Sequence, residues 1–318
     1  MTHYRATTGA KALVAGLALA LAGAAGSVQD ARADGETRIG MQPWPGVTVK
    51  SQVALQILNR IGYPARIKEL SPQFVYQGMK TDDVDVTLGA WMPAHKSMVQ
   101  PLVEAGAAQR YAINLDGAIQ GLAVPTYVCE SGIETVEDLV ANGEQFDRTI
   151  YAIGAGAAMT EAFQNAVKND YKGLGDWTVT PSSVSGMLAQ VERKTRNDEP
   201  VVFHGWKPHW MAVKFDLCFL EDGPDSKIAA LGTDVWTITA TGWAEANPQA
   251  AKFLKQFKVE PAVQSRWIYD YSYDDTAADK VAANWLAGAP EQLSAWLDGV
   301  EAADGTPALE KLKASFTN

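Results

Sequence analysis

Short apolar runs alternate with stretches of helical periodicity along most of the chain. Residues 37–41 read as a first strand, and helix signals run from 49 to 61. A strand over 63–70, a helix over 71–80 and a strand over 84–88 come next. Helical signals return at 96–107. An extended segment at 117–128 follows and is placed to cross between domains. The pattern continues as helix from 135, strand 149–153, helix to 167, strand 177–180, helix 182–195 and strand 200–203. Residues 213–220 resemble a return strand and 228–239 contain another. Asn247-Pro248 supplies an N-cap and a first-turn proline for a helix to 256. The tail, 274–316, reads as helical, with Trp285 and Trp296 at core-like spacing, and those two and Trp267 before it read as core. Strands alternating with helices predict an α/β protein with mostly parallel sheets. Ligands of such sheets sit beyond the carboxyl ends of the strands.

Those strand ends carry unusual residues. Val201-Val202-Phe203 runs into His204-Gly205-Trp206-Lys207-Pro208-His209-Trp210-Met211. Val84-Asp85-Val86-Thr87-Leu88 runs into Gly89-Ala90-Trp91-Met92-Pro93-Ala94-His95 with the same grammar of apolar strand, Gly, Trp, Pro and His. The first strand ends at Gln42-Pro43-Trp44-Pro45-Gly46, where the residue before a proline is restricted. A rigid ring suits recognition because it has little conformational entropy left to lose. The alternative is a Trp that plugs a strand–helix junction. Gly154-Ala155-Gly156-Ala157-Ala158 enters a helix and offers backbone N–H groups to an oxygen ligand, or is a plain strand–helix turn. It lacks the Lys-Ser/Thr of a P-loop and dinucleotide-fingerprint spacing, so nucleotide binding is rejected.

The first 33 residues have a basic start, a short Ala/Leu/Gly-rich run at 12–25 and a small-x-small site, Ala31-Arg32-Ala33. That is the layout of a secretory signal peptide, with an uncleaved anchor as the alternative. The expected location is the periplasm. The chain carries a net charge of −10, and loss of residues 1–33 takes the mature chain to about −12. An acidic chain argues against nucleic acid as a partner. Cys129 and Cys218, the two cysteines, are expected to pair in an oxidising compartment, closing a loop of roughly 90 residues between adjacent strand ends. Two free buried thiols are the alternative. The sequence has four His and shows no nucleophile elbow, HExxH or paired Cys–His spacing. No catalytic residue, cofactor or metal is assigned, and a binding protein explains the residues better than an enzyme. Ten Trp make an aromatic site easy to build. Several Trp faces around one cavity hold a methylated ammonium by cation–π attraction.

Gly205-Trp206-Lys207-Pro208-His209-Trp210-Met211, with Phe215-Asp216-Leu217 and Phe219-Leu220-Glu221-Asp222 after it, resembles a hallmark of the substrate-binding proteins of glycine betaine/choline-type ABC importers. Residues 88–95 and 121–128 resemble that family too. The resemblance implies a two-lobed periplasmic binding protein of type II, with the ligand caged in a cleft between lobes. It implies domain I at 34–120 plus 225–318, domain II at 121–224, and an aromatic box of Trp44, Trp91 and Trp206. The partners implied are a small methylated-amine ligand and an ABC permease and ATPase at the inner membrane, with the binding protein a monomer.

Choline binders of the family carry an Asp two residues after the first box Trp. Gly46 stands there in this chain, which counts against choline. His95 and the N–H groups near Ala157 are candidate donors to a carboxylate. Gln120 is a candidate contact to the ligand's polar end, and so is Glu130, whose alternative is a solvated loop carboxylate. The Trp-rich, Asp-poor pattern looks most like the trimethylamine N-oxide branch, so the ranking is N-oxide, betaine, choline. The competing classes are a secreted enzyme acting on a small solute and a lobe that feeds a membrane receptor.

Overall fold

The computed structural model describes residues 35–223, 225–229, 231–288 and 290–316. The expected signal peptide lies outside these residues. β1 (Thr37–Met41), α1 (Pro45–Arg60), β2 (Ala65–Glu69), α2 (Pro72–Lys80), β3 (Val86–Met92) and α3 (Lys96–Glu104) come first. The long β4 (Ala108–Pro125) leads to α4 (Thr126–Glu130), α5 (Val136–Ala141), β5 (Thr149–Ala152), α6 (Ala158–Lys168), β6 (Thr178–Pro181), α7 (Val184–Thr195) and β7 (Val202–Lys207). Then come α8 (Met211–Lys214), β8 (Leu217–Phe219) and β9 (Leu231–Ala240). The C-terminal helices are α9 (Trp243–Ala246), α10 (Pro248–Gln256), α11 (Pro261–Ser272), α12 (Ala278–Gly288), α13 (Pro290–Trp296) and α14 (Ala308–Ala314).

Local chemistry accounts for many of the boundaries. Proline opens α1, α2, α10 and α11, where its missing N–H has no helical partner to lose. Thr135 and Asp138 form a reciprocal capping box at the start of α5. The Ser183 hydroxyl accepts from the Gly186 N–H at the start of α7.

The strands form one mixed sheet in the order β2-β1-β3-β9-β4-β7-β5-β6, with β8 also paired to β4. The βαβ units expected from the alternation pair in parallel, at β1–β2, β1–β3, β5–β6 and β5–β7. The two crossing strands do not. β4 and β9 run antiparallel to each other, and both are antiparallel to their other neighbours. β4 is longer than expected, and its tip turns into α4, so Val128 is helical. The return strand expected over 213–220 is split into α8 and the short β8.

Apolar packing divides along the same lines. Ile39, Val53, Leu58, Phe253, Trp267 and Trp296 belong to one cluster, built from the N-terminal strands and the C-terminal helices. Trp267 packs edge-on against Trp285, which packs against Trp296, so these three Trp are core residues. Val124, Phe146, Phe163 and Val202 belong to a second cluster drawn from residues 122–228. One charged group is buried among apolar neighbours. Lys50 of α1 donates to Asn114 Oδ1 at 2.6 Å, and Asn114 Nδ2 reaches Leu88 O and Thr237 Oγ1. That polar tie fastens α1 beneath β3, β4 and β9. Burial lowers the Lys50 pKa to about 7.

Cys129 and Cys218 form a disulfide, with a sequence separation of 89 and Cα atoms 6.4 Å apart. Cys129 lies in α4, not at a strand end, and Cys218 lies in β8. The bond fastens the turn after β4 to the strand that pairs beside it. Closing a loop of this length is worth about 4–5 kcal/mol in the chain-entropy model. Replacing both cysteines by serine should cost about 2–5 kcal/mol. An unchanged guanidinium midpoint in that variant would show that the bond adds nothing to stability.

Candidate functional site

Three strand ends and one helix start converge on a single pocket. Beyond β1 the chain passes through Gln42 and Pro43 to Trp44, which caps α1 in extended geometry (φ −137°, ψ 148°). Pro45 disfavours helical backbone at the residue before it, so the Trp44 ring is held at the junction. β3 ends with Trp91, and β7 carries His204 and Trp206 on one face, since alternate strand residues point the same way. In both segments the second residue after the tryptophan is a cis proline, Pro93 or Pro208.

Trp44, Trp91 and Trp206 line this pocket together with His95, His204 and Gln120. Its remaining wall is Ala94, Ile153 and the start of α6 at Ala157, Ala158 and Met159. The cavity is small, about 30 Å³ of space for the centre of a water-sized sphere. Gln120 stands directly opposite Trp206 in the β4–β7 ladder. Gly205 permits that pairing to be close, because a Cβ there would lie 2.5 Å from the Ala123 Cβ.

No lining side chain is a carboxylate. His95 shares a 2.7 Å hydrogen bond with the Tyr76 hydroxyl through Nδ1, and burial lowers its pKa to about 4. His204 sits between Phe163 and Trp206, with ring centroids at 5.7 and 5.0 Å. Burial lowers its pKa to about 3. His209 packs on the other side of Trp206 and accepts from the Met211 N–H at 3.1 Å. Its pKa is also lowered to about 3 by burial. The pocket is therefore aromatic and uncharged at neutral pH. The first-turn N–H groups of α6 have no intrahelical partner, and the positive end of that helix adjoins the lining.

Each candidate from the sequence has a definite place. Trp44, Trp91, Trp206, Gln120, His95 and Ala157 all lie around this pocket. Glu130 does not. It is exposed at the end of α4, because the chain turns helical after Pro125 and buries Cys129 instead. Gly46 is also outside the lining. A Cβ there would lie 2.9 Å from Nε2 at the tip of the Gln264 side chain of α11. His204 was missed as a lining residue. Strand periodicity would have found it, two residues before Trp206.

Further contacts join α2 to the start of α6, and the segment at 210–214 to the end of α11. Gln73 of α2 donates to Gly156 O at 2.8 Å and to Glu161 Oε1 at 3.0 Å. Trp210 Nε1 donates to Ser272 Oγ at 2.8 Å, and the Lys214 ammonium lies 4.6 Å from the Tyr273 ring centroid.

A mixed α/β sheet with an aromatic pocket at its strand ends, closed by contacts from both halves, defines a two-lobed solute-binding protein. The family described as the substrate binding domain of ABC-type glycine betaine transport systems matches residues 35–288, and the chain belongs to it. Proteins of this kind bind solutes for ABC transporters and are not enzymes. The glycine betaine/carnitine transport binding protein GbuC of Listeria monocytogenes is 32% identical over 163 residues, 51% of this chain and 53% of that protein. The match thus spans about half the length of that relative. Among solved structures, an ABC-transporter choline binding protein in complex with choline gives a TM-score of 0.83 at 31% identity, covering 89% of this chain and 98% of that one. Lactococcal OpuAC, closed on glycine betaine, gives 0.74 at 26% identity, covering 83% and 99%. Among the described residues no helix is long and apolar enough to cross a membrane.

Neutral buried histidines make stability depend on pH. The folded pKa values of His95, His204 and His209 lie below the ordinary value of 6.5, so the unfolded chain binds more protons between about 6.5 and 4. Their contribution is fully present above 6.5 and is lost as pH falls. The thermal midpoint should drop between pH 6.5 and 4, and His209→Gln should reduce the steepness of that drop. An equally steep drop in the variant would remove His209 from the account.

Proposed function

We propose that this chain is the periplasmic capture component of an ABC importer for a methylated amine, with trimethylamine N-oxide as the favoured ligand. One observation carries the reading. Three tryptophans surround a pocket whose lining includes no carboxylate. A methylated ammonium cannot donate a strong hydrogen bond, but its methyl surface fits aromatic faces and its charge is attracted by them. A desolvated cation–π contact contributes about 2 kcal/mol. Three such walls supply about 6 kcal/mol of gross attraction, from which the entropy lost on association is subtracted, so the ligand's oxygen must also contribute.

The same feature ranks the ligands. Choline carries a net charge, and an uncharged buried pocket leaves that charge uncompensated. Trimethylamine N-oxide and betaine are net neutral, so their cationic and anionic ends enter together. The N-oxide presents a single oxygen, which suits a lining with few side-chain donors. Betaine is the second reading, favoured by the free N–H groups at the start of α6 and by relatives named for glycine betaine. Choline stays third, with a choline-binding structure among the similar folds.

In this reading the lobes are residues 34–120 plus 225–318 and residues 121–224. They close over the ligand by the contacts of Gln73 and Trp210 and hand it as a monomer to a permease and ATPase at the inner membrane. Calorimetry with trimethylamine N-oxide, glycine betaine and choline is the test. The N-oxide should bind one-to-one and most tightly, and Trp91→Ala or Trp206→Ala should weaken it about 30-fold, the equivalent of one desolvated cation–π contact. Tighter betaine or choline binding would replace the N-oxide and keep the box. No binding of any of the three would overturn the methylated-amine reading.

A further inference from the structure

His204 is a polar side chain of the pocket with open hydrogen-bonding positions. It is buried, and neither ring nitrogen has a hydrogen-bond partner. A neutral imidazole offers one donor and one acceptor, and buried polar groups are normally satisfied. Each neighbouring histidine is held through Nδ1. Among the described residues His209 Nε2 is also unpartnered but outside the lining, and Trp44 Nε1 is the other unpartnered lining donor. His95 bonds Tyr76, and His209 accepts from the Met211 N–H. His204 borders the cavity, and among the described residues no group bonds its buried ring nitrogens, which makes it a candidate for a ligand to satisfy.

We propose that His204 donates its ring N–H to the ligand's oxygen inside the Trp box and thereby selects which methylated amine is held. This rests on the methylated-amine reading above. Position supports the role. His204 and Trp206 share one face of β7 with their rings 5.0 Å apart, so the donor stands beside the wall that holds the ammonium. In an N-oxide the oxygen is bonded directly to the nitrogen and lies within that box. In betaine and choline two carbons separate nitrogen from oxygen, which carries the oxygen away from His204. The imidazole is uncharged, so it meets the N-oxide oxygen without adding a net charge to the pocket. His204 is thus a specificity-determining residue, while the three tryptophans bind any methylated ammonium.

The test measures trimethylamine N-oxide, glycine betaine, choline and tetramethylammonium by calorimetry on the wild type, His204→Phe and His204→Gln. Tetramethylammonium has the charge and the methyl surface but no oxygen. His204→Phe should weaken N-oxide binding about 10- to 100-fold, as expected for a hydrogen bond to a charged acceptor. Tetramethylammonium should change by less than about 3-fold in the same variant, since it makes no such bond. His204→Gln, which keeps a donor, should recover part of the N-oxide affinity. On wild-type protein labelled with ¹⁵N-histidine, the His204 ring N–H resonance should move with the N-oxide and stay with tetramethylammonium, which needs no folded variant. Equal weakening of both ligands would reduce His204 to packing. An unchanged N-oxide affinity would place the donor elsewhere. If the wild type prefers betaine or choline, the ranking fails, and the donor role stands only if that ligand weakens in His204→Phe relative to tetramethylammonium. If the wild type binds none of the four, the functional reading and this inference fall together.

Discussion

The pocket depends on one strand pairing on both sides. β4 is antiparallel to β9 along one stretch and to β7 along the next, so a single 18-residue strand sets the position of both halves of the sheet. Its register against β7 puts Gln120 beside Trp206 and Leu122 beside His204. A slip of one residue would turn those side chains to the opposite face. Gly205 holds the two backbones close where any other residue would collide with Ala123. Pocket geometry is therefore a consequence of backbone hydrogen bonding, which is stiff, more than of loop conformation.

The second constraint is electrical neutrality. Three tryptophans line a pocket whose described lining includes no carboxylate. The surrounding histidines stay neutral because burial makes their protonation costly. Unsatisfied atoms such as His204 Nδ1 and Nε2 and Trp44 Nε1 are tolerated in the described structure, and the apolar clusters around Phe203 and Phe253 offset their cost. A similar economy appears at Lys50, which satisfies its ammonium through Asn114 with no carboxylate at hydrogen-bond distance.

Many elements were legible in the chain as written. The apolar runs read at 37–41, 149–153 and 200–203 fall on or lead into strands at 37–41, 149–152 and 202–207, whose β-branched and aromatic residues suit a buried sheet, and Pro248 marks the helix start read there. Other features were not legible, for physical reasons. The pattern at 213–220 reads as a strand, but Asp216 adopts a positive φ, which breaks the segment into α8 and β8. Glu130 sits beside a cysteine in the chain, yet one turn of helix sends the two side chains to different environments. Gly46 follows Trp44 closely in sequence, yet its missing side chain would point at α11.

The sequence by itself determined the α/β alternation, the aromatic strand ends and the absence of catalytic motifs, because period, punctuation and residue type are local properties. It also carried the motif grammar at 88–95 and 204–211, which led to the right family. Only the tertiary structure decided which strands neighbour each other, that the crossing strands are antiparallel, and that Trp44, Trp91, His95, Gln120, His204 and Trp206 face one another. Those facts rest on register and chain crossing between residues distant in sequence, such as Gln120 and Trp206. No local pattern encodes the face on which such partners meet.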